Sequence, residues 1–146
     1  MGNFMLLTVK WVAMNVDSIR VFCLSLSRAT ENLQWGDDLC FKIGGKLFAT
    51  IALTAVPQKV CFKCTPEAFA DLIERNDIHP APYVGRYKWV ILDRLDALRD
   101  DELREFILQS YEMVAAKVPK LKLRTSNDTA TGRKRKSVRT IRGRKR

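Results

Sequence analysis

Apolar residues fall at Ile19, Phe22, Cys23 and Leu26, the i, i+3, i+4, i+7 spacing of a single helix face. The spacing predicts a helix over 17–26, with Asn15 or Asp17 as its cap. The pattern then changes to a period of two. A strand is expected at 30–35, followed by a turn at Gly36-Asp37-Asp38. Two further strands, 39–43 and 46–53, flank Gly44-Gly45 as a hairpin. A three-residue loop there would set Lys42 opposite Lys46 and Phe41 opposite Leu47. Leu39, Phe41, Leu47, Ala49 and Ile51 would then share one face, and Cys40, Lys42, Lys46, Phe48 and Thr50 the other. A two-residue loop mixes charge with apolar surface on both faces, so the three-residue register is expected, with Gly45 in the left-handed position of a bulge.

Residues 59–64 alternate again, Val60, Phe62 and Cys64 inward and Lys59, Cys61 and Lys63 outward. Thr65-Pro66-Glu67 starts a helix, with Thr as N-cap, Pro at the first helical position and an acid in the first turn. That helix is expected to run to about residue 75. The segment 77–83 holds His79-Pro80-Ala81-Pro82 and is expected to be irregular. Residues 87–92 read as a strand. Asp100 is expected to cap a long last helix whose stripe is Leu103, Phe106, Ile107, Tyr111, Val114 and Val118, ended by Pro119.

Three segments follow: an extension at 1–14, a domain at 15–119 and a basic tail at 120–146. The extension is apolar but poorly patterned, and Met14 stands directly before the first helix signals. The tail has almost no large apolar residues and is expected to be disordered. Of the 26 lysines and arginines twelve lie in 119–146, and of the 16 acids only Asp128 does. That stretch carries a surplus of eleven positive charges, and residues 1–118 carry one net negative charge. The basic pI therefore belongs to the tail, and charge alone gives no reason to assign nucleic-acid binding to the domain. No run approaches the ~20 apolar residues of a membrane span, and no export signal is legible, so a cytoplasmic location is expected, at the nucleoid if the host is bacterial. The four cysteines are then expected as free thiols.

A series of segments runs along the chain: Cys23-Leu24-Ser25-Leu26, Ala29-Thr30-Glu31, Trp35-Gly36, Phe41-Lys42-Ile43-Gly44-Gly45-Lys46-Leu47-Phe48-Ala49, and Phe62-Lys63-Cys64 before Pro66-Glu67. Pro80-Ala81-Pro82-Tyr83, Lys88-Trp89-Val90 and Ser110-Tyr111 complete it. Together, in this order and over about 15–118, these segments are similar to the MmcQ/YjbR family. The resemblance implies an α+β, two-layer, CyaY-like fold, an antiparallel sheet with helices packed against it. It also implies a double-wing DNA-binding protein without a catalytic residue set. Family members often carry His before the Trp where this chain has Lys88.

The candidate nucleic-acid contacts in the domain are Lys42, Lys46, Lys59 and Lys63 on outward strand positions, with Arg86 and Lys88. Lysines on a polar sheet face are also ordinary solvated surface that discourages edge pairing. In the tail the candidates are Arg133, Lys134, Arg135, Lys136, Arg139, Arg142, Arg144, Lys145 and Arg146. Arg142-Gly143-Arg144 resembles the centre of an AT-hook, without its prolines. Cys61-Phe62-Lys63-Cys64 has redox or zinc spacing, but on a strand its thiols point to opposite faces. His79 reads as a loop histidine, and Asp37 and Asp38 as turn residues. Trp35, Tyr83, Tyr87 and Trp89 could stack bases, though large aromatics more often belong to the core. No constellation supports an enzyme, a metal or a cofactor. The expected function is a non-enzymatic nucleic-acid-binding protein, DNA ahead of RNA, held mainly by its tail. The alternative is a small-molecule or peptide-binding domain with a pocket near Trp35, Tyr83, Arg86 and Trp89.

Overall fold

The computed structural model describes residues 14–119. The chain forms α1 (Val16–Ser25), β1 (Ala29–Gln34), β2 (Asp38–Ile43), β3 (Lys46–Ala52), β4 (Lys59–Lys63), α2 (Pro66–Leu72), β5 (Ile78–Pro80), β6 (Trp89–Leu92) and α3 (Asp100–Ala115). Short 3-10 turns at Gly85–Tyr87 and Leu95–Ala97 precede β6 and α3 respectively. The strands make one six-stranded sheet of order β1-β2-β3-β4-β6-β5, with every neighbouring pair antiparallel. The architecture is α+β, as expected. The expected disordered tail, 120–146, lies outside the described residues.

Two of the three helix starts follow the local signals. The Asn15 side chain accepts the Ser18 N–H at 2.8 Å and the Ser18 hydroxyl accepts the Asn15 N–H at 2.8 Å, a capping box. Thr65 accepts the Ala68 N–H at 3.1 Å and Pro66 opens α2. The expected Asp100 cap is shifted: Asp100 is already helical, and the Glu102 carboxylate accepts the Arg99 N–H at 3.4 Å. α2 stops at Leu72 rather than near 75, and α3 stops at Ala115, four residues before Pro119. Met14, expected to precede the domain, is buried in the core.

One core joins the helices to one face of the sheet. Cross-strand rows Leu39–Ile51–Val60–Leu92–Ile78 and Phe41–Ala49–Phe62–Val90 bury against Ile19, Leu72, Leu98, Leu103 and Ile107. Phe106 stacks on Phe62, and Tyr111 meets Phe48 edge-on. Removing apolar side chains from water supplies most of the driving force for this layer.

The Gly44 hairpin corrects the expected register. Ile43 pairs with Lys46 and Lys42 with Leu47, across the two-residue turn Gly44-Gly45. Both glycines have positive φ, +59° and +81°, as a twist-matched two-residue hairpin of the I′ kind requires. The mixed pairing that argued against this turn is absorbed one step later. The register shifts between Phe41/Lys42, where Phe41 pairs with Ala49. Phe48 is therefore an extra residue, and it is fully buried rather than outward. A bulge has reset the alternation that a regular ladder would impose.

Two further expectations change. Residues 78–80 form β5 rather than loop; as the outermost strand, β5 accommodates Pro80, which has no N–H to give a further neighbour. The last strand starts at Trp89, not 87, because Lys88 adopts φ +71° at the end of the Gly85–Tyr87 turn.

Candidate nucleic-acid interface

The β3–β4 ladder ends at Ala49–Phe62, while β4 continues to pair with β6 as far as Lys63–Trp89. Beyond Ala49 the bulged β3 departs from β4. The gap is bridged from above by Ser110 of α3, whose hydroxyl donates to the Phe48 carbonyl at 2.6 Å and accepts the Lys63 N–H at 3.0 Å. Ser110 is fully buried, so it satisfies two backbone groups that the parted ladder would leave bare. Where β3 parts from β4, a cavity of about 270 Å³ opens, lined by Lys46, Lys63 and Lys117 together with Leu47, Trp89 and Met113.

Each lysine comes from a different part of the chain. Lys46 opens β3, Lys63 closes β4, and Lys117 follows α3. Lys63 Nζ donates to the Tyr87 carbonyl at 3.0 Å. Burial, and then the Lys117 charge, hold its pKa below the ordinary lysine value. Among the described residues none of the three lysines makes an ion pair with a carboxylate. This is a concentration of unneutralised positive charge in a domain whose overall charge is near zero.

The expected basic face does not form as drawn. Lys42 and Lys46 are not opposite one another. Lys59 is drawn to Asp93, 3.6 Å from Nζ to Oδ1. Arg86 lies over the Tyr87 ring and Lys88 over the Phe69 ring. Lys46 and Lys63 are brought together, and the third member, Lys117, was not among the sequence candidates. Its signal was its place between an apolar helix stripe and the first tail cation. Ser110 was likewise missed, although a serine within an apolar stripe is itself a signal. The tail candidates, Arg133 to Arg146, lie outside the described residues.

The aromatic candidates divide. Trp35, Tyr83 and Tyr87 are 69%, 97% and 52% exposed, so the core reading fails for them; Trp89 is half-buried. Trp35 sits in the β1–β2 turn, beside the Asp38–Ala52–Lys59 end of the sheet, whereas Trp89 pairs with Lys63 at the other end. The pocket near Trp35, Tyr83 and Trp89 therefore has no common location.

Cys64 is buried in the core while Cys61 lies in the opposite-face row Cys40–Thr50–Cys61–Ile91–His79. All four cysteines are free. Burial pushes the thiols of Cys23 and Cys64 up to about 12 and that of Cys61 to about 11. His79 is exposed on β5 with Nε2 2.8 Å from Asp93 Oδ2, a contact that holds the Asp93 carboxyl below its usual range. Asp37 is exposed in its turn and its carbonyl accepts the Leu53 N–H at 3.1 Å, while Asp38 opens β2. Among the described residues no cluster of His, Cys, Asp or Glu is placed to hold a metal ion. No described helix is long and apolar enough to cross a membrane.

Comparison with known proteins adds the following. The YjbR family profile matches residues 24–113. A Deinococcus radiodurans protein with a DUF419 domain has a similar fold, with a TM-score of 0.68 and 24% identity, covering 78% of this chain and 88% of that one. A Pseudomonas syringae protein of known structure has a TM-score of 0.58 and 17% identity, covering 69% and 99% respectively. At these identities the likeness concerns the fold. No curated protein matches the sequence.

Proposed function

The chain belongs to the YjbR family, and from that premise we propose that it is a non-enzymatic nucleic-acid-binding protein, with DNA as the preferred partner. Phosphate contacts come mainly from residues 120–146, with the Gly44-Gly45 hairpin as an accessory wing.

One observation carries this reading: the described chain ends against the hairpin. Val118 is buried, and a Cβ placed on Gly44 would clash with its Cγ1. The last described residues, Lys117 to Pro119, therefore lie at the hairpin end of the sheet, the end that holds the lysine cavity. The surplus of eleven charges and the cavity lysines can then address one phosphate backbone. Neutralising phosphates with Lys and Arg releases condensed counterions, which gives affinity without sequence readout.

The test is a titration of the full-length protein and of a 1–119 truncation on duplex DNA and on RNA, at several salt concentrations. The full-length protein should bind duplex DNA with steep salt dependence, and the truncation should lose most of both affinity and slope. A truncation that binds as tightly, with the same slope, would move the activity into the folded domain. Tighter binding to RNA would reverse the choice of partner.

A further inference from the structure

We propose that the cavity between β3, β4 and the end of α3 is a discrete site for one nucleoside 5′-phosphate unit, its phosphate held by Lys46, Lys63 and Lys117 and its base against Trp89. The unit can be a free nucleotide or the phosphorylated end of a strand. The second source rests on the proposed nucleic-acid function; the first does not.

The cavity holds three cations and, among the described residues, no anion. Lys46 and Lys117 are exposed at its rim, while Lys63 is fixed by its bond to the Tyr87 carbonyl. Like charges brought together in a partly buried site repel, and the Lys117 charge opposes that of Lys63. A phosphate would convert that mutual repulsion into charge-assisted hydrogen bonds from all three ammonium groups.

The rest of the lining is apolar. Leu47, Met113 and the half-buried Trp89 indole are not needed for a phosphate alone. A flat aromatic beside three cations matches a nucleotide, whose base offers a π face and whose phosphate carries the charge. The hollow, about 270 Å³, is open to solvent on one side, so a bound unit keeps part of its surface in water.

The cavity also has a structural reason to persist. It lies where the bulged β3 parts from β4, and the Ser110 hydroxyl links the parted strands by two hydrogen bonds. A surface that merely displayed lysines would need neither.

The experiment uses the full chain. Calorimetric titrations with adenosine 5′-monophosphate, inorganic phosphate and adenosine are run on the wild type, on Lys46→Met with Lys117→Met, and on Trp89→Leu. Both lysines are exposed, so the double variant should keep its fold, which circular dichroism checks. The nucleotide should bind one-to-one, with inorganic phosphate about tenfold weaker for want of stacking and adenosine weaker still. The lysine variant should lose about tenfold or more for nucleotide and phosphate alike. Trp89→Leu should lose about tenfold for the nucleotide only.

For a strand end, a single-stranded oligonucleotide with a 5′-phosphate should bind more tightly than its 5′-hydroxyl form, and the lysine variant should erase the difference. Nucleotide affinity indifferent to the lysine substitutions overturns the site. Duplex DNA measured alongside separates the two proposals. Wild-type protein that fails to bind duplex, while the nucleotide still depends on Lys46 and Lys117, defeats the nucleic-acid function and leaves this site standing.

Discussion

Ser110 and Gly44 carry more structural weight than their size suggests. The Ser110 hydroxyl serves two backbone groups at once, the Phe48 carbonyl and the Lys63 amide. Ser110→Ala keeps the volume but leaves both unsatisfied in the interior. The expected loss is about 1–3 kcal/mol, read as a lower urea midpoint with an unchanged denaturant slope. Gly44 combines φ +59° with the Val118 side chain directly over the position of its missing Cβ. Gly44→Ala should therefore cost roughly 1–3 kcal/mol from left-handed strain and displaced packing together. Val118→Ala in the same chain should recover only the packing share. A Gly44→Ala protein as stable as wild type would contradict both the strain at Gly44 and the packing of Val118 against it. The cysteines make a third case. With Cys23 and Cys64 pushed up to about 12 and Cys61 to about 11 by burial, thiolate is scarce at pH 8. Native protein should react with a thiol reagent far more slowly than protein in urea, where all four cysteines become accessible. Fast native labelling of Cys64 would contradict its burial.

Among the elements, α1 is tied to β1 by Arg20 and Glu31. Arg20 Nε donates to Glu31 Oε1 at 2.8 Å, beside a second bond from the same guanidinium. The bond from Arg20 is the main reason the Glu31 carboxyl lies below its ordinary pKa. A depressed folded-state pKa means that the stabilisation is present above the unfolded value, 4.5, and is lost as pH falls through the folded one. Glu31→Gln should thus lower stability near pH 7 and change it little near pH 3. The pair is partly exposed, so about 1 kcal/mol or less is expected. Comparing thermal midpoints of the two proteins at both pH values checks the sign. An equal effect at pH 3 would locate the role of Glu31 in something other than charge.

The hairpin shows why periodicity is insufficient for register. Alternation correctly identified both strands, but two adjacent glycines offered positive φ at both turn positions. The turn took the register that its backbone preferred, and a bulge at Phe48 restored burial. A bulge leaves no mark in a pattern of polar and apolar residues. Similarly, Pro80 argues against a strand only where its neighbours on both sides need an N–H, and β5 lies at the edge of the sheet.

For the molecule as a whole, charge distribution decides where affinity should reside. If about 6 tail cations engage duplex DNA, the slope of log K against log salt should be about −5. Deleting 120–146 should remove most of it. Lys42→Ala with Lys46→Ala in the full chain should cost roughly 1 kcal/mol or less. Arg142 and Arg144 provide a finer probe. Changing both to Lys preserves charge but should abolish any preference for A·T-rich duplex if Arg-Gly-Arg enters the minor groove. Binding curves on A·T-rich and G·C-rich duplexes measure that preference directly.

Local information was enough for the α+β class, two of the three helix N-caps and nearly every strand. Caps, alternation and charge counts involve residues within a few positions of one another, so they can be read along the chain. The lysine cavity could not be read in this way. Lys46, Lys63 and Lys117 are far apart in sequence and meet only because β3 leaves β4 and α3 ends over the gap. The same holds for Ser110, whose partners Phe48 and Lys63 lie on two strands, and for Trp35, which packing left on the surface at the opposite end from Trp89. Contacts between distant residues depend on strand order and on a bulge, and periodicity carries neither.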